Sequence, residues 1–146
     1  MKLDKMEYSQ NEGLPNSWRL EGCQLGDINL IVGKNASGKT KILRVIDTVA
    51  DLLSGDADLK GNRASRQWTL NFIASDGRTE NYFLKVQNER VVREKLDIGS
   101  KTYLNRQESG EGIIWAAQLN QYIGLAEKSL KPDSKGKLTT RESRKN

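Results

Sequence analysis

The sequence predicts an α/β fold: a buried strand, a glycine-rich phosphate loop and a helix, joined to an antiparallel β-meander. Three observations predict it. An apolar run, Ile28 to Val32, leads into the loop "GKNASGKT". Apolar residues then recur at helical spacing, from Ile42 through Val45, Ile46, Val49 and Ala50 to Leu53. Beyond them, apolar and polar residues alternate between Arg66 and Asn105, interrupted by turn pairs.

Residues 1–16 are polar and turn-rich, ending in "GLPNS", and read as a lead-in segment. Two short strands follow, Trp18 to Cys23 and Ile28 to Val32, separated by Gly26-Asp27. The second is apolar except for Asn29 and bounded by turn residues, the pattern of a strand covered on both faces. The helix runs from Gly38 to Leu53, and "SGDADLKGNRAS" (Ser54 to Ser65) breaks it. Trp68, Leu70, Phe72 and Ala74 alternate up to the Asp76-Gly77 turn, and Tyr82, Leu84 and Val86 alternate after it. "QNER" turns again into Val91 to Ile98, and Gly99-Ser100 turns into "KTYL", giving a meander of about four strands over 66–105. In "EGIIWAAQLNQYIGLAEKSL", Ile114, Trp115, Ala117, Leu119, Tyr122 and Leu125 allow an amphipathic helix. Residues 1–126 form one unit, and 127–146 a basic, flexible tail.

The chain has 146 residues, 36% of them hydrophobic and 29% charged, which suits one domain with a real core. The formal charge of +5 is unevenly spread. From Glu127 to Asn146 seven cations stand against three acids, which is +4 and leaves +1 on the rest. The basicity therefore belongs to the tail, a solvated segment by composition, and is weak support for a nucleic-acid partner. With no histidine, imidazole acid–base and metal chemistry is excluded. The single Cys23 forms no internal disulfide, and no apolar run is long enough to span a membrane; together they suit a cytoplasmic protein.

"GKNASGKT" satisfies G-x-x-x-x-G-K-[ST] without departure at Gly33, Gly38, Lys39 and Thr40. Consecutive backbone N–H groups of Gly33, Lys34, Asn35, Ala36, Ser37, Gly38, Lys39 and Thr40 would wrap the phosphates, with a helix N-terminus beneath them. Lys39 would neutralise the β- and γ-phosphates of ATP, and the Thr40 hydroxyl would ligate Mg²⁺. A glycine turn that binds nothing is the competing reading.

"INLIVGKNASGKTKILRVI" resembles the start of ATPase domains in the ABC/SMC/RecF-like branch of P-loop proteins, particularly prokaryotic AAA-family ATPases of the overcoming-lysogenization-defect type. The lead-in "LGDIN", Asn35 within the loop and the apolar helix after Thr40 carry the likeness. It is specific over Gly26 to Ile46 and architectural over the meander. Where the branch often has Asn-Gly-Ser-Gly-Lys, this chain has Ala36 in place of the glycine, so the loop must accept a Cβ there. The resemblance implies an amino-terminal P-loop NTPase lobe that binds ATP and Mg²⁺. It also implies a second ATPase lobe or a homodimer partner that supplies the acidic strand and a serine/glycine signature.

Those elements have no counterpart here. An apolar strand ending in a magnesium-assisting acid is needed for hydrolysis. The nearest candidate, Asp76 after "NFIAS", is followed by Gly77 in a turn, and Asp47 of "VID" lies on the helix. Gln118 could bridge metal and water, Trp18 could stack on adenine and Cys23 could be a reactive thiol. Their ordinary readings are a helix-surface glutamine, a core aromatic and a small packed residue. The catalytic residues therefore stay unassigned. Besides the ATP-binding lobe, two alternatives stand: a nucleotide-binding or purely structural module, and, more weakly, a small P-loop kinase with Asp76 on the metal and "RASR" (Arg63 to Arg66) in its lid.

Overall fold

The computed structural model describes residues 1–56, 59 and 63–125. One eight-stranded sheet dominates it, with every neighbouring pair antiparallel. The strands are β1 (Lys2–Gln10), β2 (Trp18–Gln24), β3 (Arg66–Ile73), β4 (Thr79–Gln87), β5 (Arg90–Ile98), β6 (Lys101–Arg106), β7 (Gly112–Ala116) and β8 (Gln121–Leu125). Their spatial order is β2-β1-β3-β4-β5-β6-β7-β8, and one α-helix, α1 (Lys39–Ser54), crosses between β2 and β3 in sequence. This corrects the expected α/β class: among the described residues no strand pairs in parallel, and the fold is an antiparallel sheet with one covering helix.

The alternation between Arg66 and Asn105 forms β3 to β6, joined by tight turns. Leu70 faces Tyr82 and Trp68 faces Leu84 across β3 and β4, and Tyr82 faces Leu96 across β4 and β5. One face of these strands is the core. Trp68 and Leu70 are 0% and 1% exposed, and Tyr82, Leu84 and Val86 are buried beside them. Helix α1 closes this face with Val45 and Val49, one turn apart on its inner stripe, while Ile42 and Leu52 extend the contact. Gly55 ends the helix in a left-handed conformation, its N–H returning to the Asp51 carbonyl.

Three expectations fail, each for a long-range reason. The polar lead-in is β1, a central strand between β2 and β3. Its apolar pattern is hidden by a register shift between Leu3 and Lys5, which brings Leu3 onto the face of Met6 and Tyr8. Met6 is fully buried against Leu70.

The run Ile28 to Val32, expected as a strand covered on both faces, pairs with no strand among the described residues. Ile28, Leu30 and Val32 are 94%, 87% and 77% exposed. After β2 the chain leaves the sheet edge through a loop tied by Asn29, whose amide and carbonyl groups bond to the Gly26 backbone. The inner stripe of α1 packs on the sheet instead, and of this run only Ile31 is half-buried.

The third failure is the expected carboxy-terminal helix. Its described part is a hairpin, β7 and β8, joined by the 3₁₀ turn Ala117–Leu119 with Asn120 left-handed. β-branched and aromatic residues decide this: Trp115 faces Tyr122 across the hairpin, ring centroids 5.0 Å apart and edge-on. The expected tail, 127–146, lies outside the described residues, and "SGDADLKGNRAS" is described only in part. No helix of the described residues is long and apolar enough to cross a membrane.

Candidate phosphate loop and its cleft

The loop closes on itself before α1 begins. Ser37 N–H donates to the Lys34 carbonyl, and Gly38 then turns left-handed at φ 91° as the helix N-cap. No side chain caps this end and no acid stands in its first turn, so the first N–H groups are left for an outside acceptor. Ala36 sits at φ 64°, a conformation that costs a residue with a Cβ about 1–2 kcal/mol. A side chain at Gly33 would crowd the loop: an added Cβ would lie 2.7 Å from Ser37 Oγ, which would have to move.

Lys39 folds over the loop. Its ammonium donates to the carbonyls of Gly33 and Lys34, both at 2.7 Å. An ammonium has three donors, so one stays available at the loop mouth. Thr40, on the first turn of α1, is exposed. No group of three His, Cys, Asp or Glu that could hold a metal occurs among the described residues. Thr40 therefore fits a magnesium ion only as one ligand beside oxygens brought by a bound phosphate.

The loop forms one wall of a cleft of about 700 Å³, a volume that suits a nucleotide-sized ligand. The second wall is α1, through Lys41, Arg44 and Thr48, a polar strip beside the buried Val45. The floor is the sheet, through Tyr8 and Gln10 of β1 and Arg66 and Trp68 of β3. Among the described residues four cations line the cleft, Lys39, Lys41, Arg44 and Arg66, and no carboxylate does. Tyr8 donates to Gln10 Oε1 at 3.2 Å; burial pushes its phenol above the ordinary range, and the Arg66 charge opposes that rise. Of these residues, Tyr8, Gln10, Lys41, Arg44, Thr48 and Trp68 escaped the sequence reading as site residues. The spacing of Lys41, Arg44 and Thr48 was the available signal, because three, four and seven residues share a helix face.

The other sequence candidates lie elsewhere. Trp18 stacks on Tyr8 at 5.6 Å with Lys41 Nζ 4.4 Å above its ring, so it packs at the cleft's rim as a core aromatic. Cys23 is half-buried on β2. Asp76 is in the β3–β4 turn, where Arg78 pairs with it at 2.6 Å and donors from the Arg78 backbone and side chain hold its carboxyl below the usual range. Arg66 and Ile73 end β3, and seven strand steps separate them by roughly 23 Å. Asp76 lies beyond the far end and cannot reach the loop. Gln118 is on the exposed β7–β8 turn, four strands or roughly 19 Å across the sheet from β3.

No protein-family model matches the chain, and no curated protein or solved structure is significantly similar to it.

Proposed function

We propose that the chain binds ATP with Mg²⁺ through Gly33 to Thr40, as a nucleotide-binding lobe of an ABC/SMC-like AAA-family ATPase. One observation carries the reading: a complete phosphate loop, its lysine folded over it, opens into a cleft lined, among the described residues, by four cations and no acid. Backbone N–H groups at the start of α1 and the free donor of Lys39 would take the β- and γ-phosphates. Thr40 would share a magnesium ion with them, and that ion would neutralise phosphate charge.

Hydrolysis in this reading needs a second lobe or a homodimer partner. Among the described residues no acid lines the cleft, so none of them is placed to orient water at a γ-phosphate. The bare run Ile28 to Val32 supports the same partner. Ile28, Leu30 and Val32 are 94%, 87% and 77% exposed, apolar side chains of the kind a partner would cover. A single half-buried cysteine suits a cytoplasmic setting. The remoteness of Asp76 removes the observation that would favour a kinase.

Calorimetric titration of MgATP into the chain and into Lys39→Ala tests the reading. Removing a charge-assisted contact should weaken binding by about 10- to 100-fold. Equal affinities would refute it. Sustained hydrolysis by the purified chain alone would refute the need for a partner.

A further inference from the structure

The sheet face turned away from α1 carries its charge unevenly. Trp68, Leu70, Tyr82 and Leu84 turn toward α1, so the residues between them on β3 and β4 turn outward. On β1 and β2 the outward charges are matched: Lys5 pairs with Glu7, and Arg19 with Glu21. β3 presents only the uncharged Gln67, Thr69 and Asn71. From β4 to β8 the balance changes. Lys85 and Arg93 stand directly opposite one another on β4 and β5, and neither has an ion pair among the described residues. Glu12 lines a pocket with Lys85 without pairing with it. Like charges directly opposite one another destabilise a strand pair, and an anion bound between them would reverse that. Lys95, beside them, already holds Asp97 at 2.7 Å, the one acid on this stretch of the face among the described residues. Aromatic rings accompany these cations. Phe83 faces Lys95, with the Arg93 guanidinium 5.6 Å from its ring. Trp115 and Tyr122 face each other on β7 and β8, and Lys101 Nζ lies 2.9 Å and 6.0 Å from their ring centroids.

We infer that this face, from β4 to β8, binds single-stranded nucleic acid, with phosphates on Lys85, Arg93 and Lys101 and bases stacked on Phe83 and Tyr122. The surface is separate from the phosphate loop, because the sheet lies between them. Arg93 is exposed and Tyr122 is 44% exposed, while Lys85, Phe83 and Lys101 are half-buried, so each presents surface to a ligand. A cation held beside a ring places a phosphate contact next to a base contact, which is how backbone and base alternate along a single strand. Phe83 and Tyr122 stand four strands apart, roughly 19 Å, and so offer separate stacking points. Every base has a π-face, so such points accept a strand with little regard to sequence. A duplex hides those faces, and a sheet face roughly 19 Å across cannot enter a major groove about 12 Å wide. An acidic peptide would engage the cations and leave the rings idle.

The test is fluorescence anisotropy of a labelled oligothymidylate of about 12 nucleotides, titrated with the full chain over a series of salt concentrations. A hairpin duplex and poly-glutamate serve as competitors. The single strand should bind at least about tenfold more tightly than either. Replacing Lys85 and Arg93 together by Gln should flatten the slope of log affinity on log salt by about 1.4, at about 0.7 for each lost phosphate contact. Tyr122→Val and Phe83→Val should each weaken binding about fivefold or more and leave that slope unchanged. Phe83 is half-buried, so cooperative unfolding of its variant is checked first; the exposed Tyr122→Val carries the test if that variant does not fold. Lys39→Ala should keep the wild-type affinity. No binding of the single strand overturns the inference. Wild-type affinity and slope in the Lys85→Gln/Arg93→Gln variant overturn it by moving the strand off this face, and a loss in Lys39→Ala overturns it by moving the strand into the cleft. Unchanged affinity in the ring variants, or a competitor bound as tightly as the single strand, would make the face a general polyanion surface and overturn it as well.

Discussion

Gly33→Ala gives the sharpest test of how the loop is built. The perturbation is one methyl group placed 2.7 Å from Ser37 Oγ, against an ordinary contact of about 3.4 Å or more. The other near atoms, Ser37 Cβ at 3.5 Å and Lys39 Cδ at 4.0 Å, are in normal contact, so the collision is with a single hydroxyl. Relieving it means forcing Ser37 off its rotamer, about 0.5–1.5 kcal/mol, or shifting the loop, about 1–3 kcal/mol. At about 1.4 kcal/mol per tenfold, MgATP affinity should fall roughly 3- to 100-fold. Adding Ser37→Ala removes the struck atom, and the double variant should recover most of that loss. The assay is a calorimetric double-mutant cycle, with Gly38→Ala as control. Gly38 has open space around it but φ 91°, so its cost is backbone strain and Ser37→Ala should not rescue it. A Gly33→Ala loss of the same size with Ser37 present or absent would refute the steric account.

Ala36→Gly should raise stability to chemical denaturation, by up to about 1 kcal/mol, because relief of the φ 64° strain outweighs the added freedom of glycine in the unfolded chain; an unchanged or lowered midpoint counts against strain there. Leu30→Asp should leave the unfolding free energy nearly unchanged, within about 0.5 kcal/mol, since Leu30 is 87% exposed, whereas Leu70→Ala should cost about 2–5 kcal/mol, both read by denaturant melts; a large loss in Leu30→Asp would mean the run is covered in the isolated chain. Burial alone would raise the Asp97 carboxyl, but donors from Lys95 Nζ and Thr102 Oγ1, each at 2.7 Å, hold it below the usual range. Its contribution is then present above the unfolded value near pH 4 and lost as pH falls through the depressed folded value. Melting curves of the wild type and Asp97→Asn should converge over that acid window, and a constant gap would contradict the assignment.

The sequence by itself determined what depends on neighbours in the chain. Loop geometry needs Gly33, Gly38 and Lys39 at fixed spacing, α1 follows from a 3.6-residue period, and β3 to β6 follow from alternation between short turns. Only the tertiary structure decided what depends on distant pairing. Leu3, Met6 and Tyr8 share a face because a bulge shifts the register, so β1 reads as polar until β3 lies beside it. Ile28 to Val32 has the composition of a buried strand, yet burial requires neighbours, and the described sheet places none there. Ile113 to Ile123 could satisfy either period; the Trp115–Tyr122 pair settled it as a hairpin. The cleft floor was the least legible part. Arg66 and Trp68 precede the first meander turn and follow the loop by more than twenty residues, and only the fold of α1 across β1 and β3 brings them to face Lys39. Periodicity reports which side of an element is apolar, but it carries no information on which two elements meet.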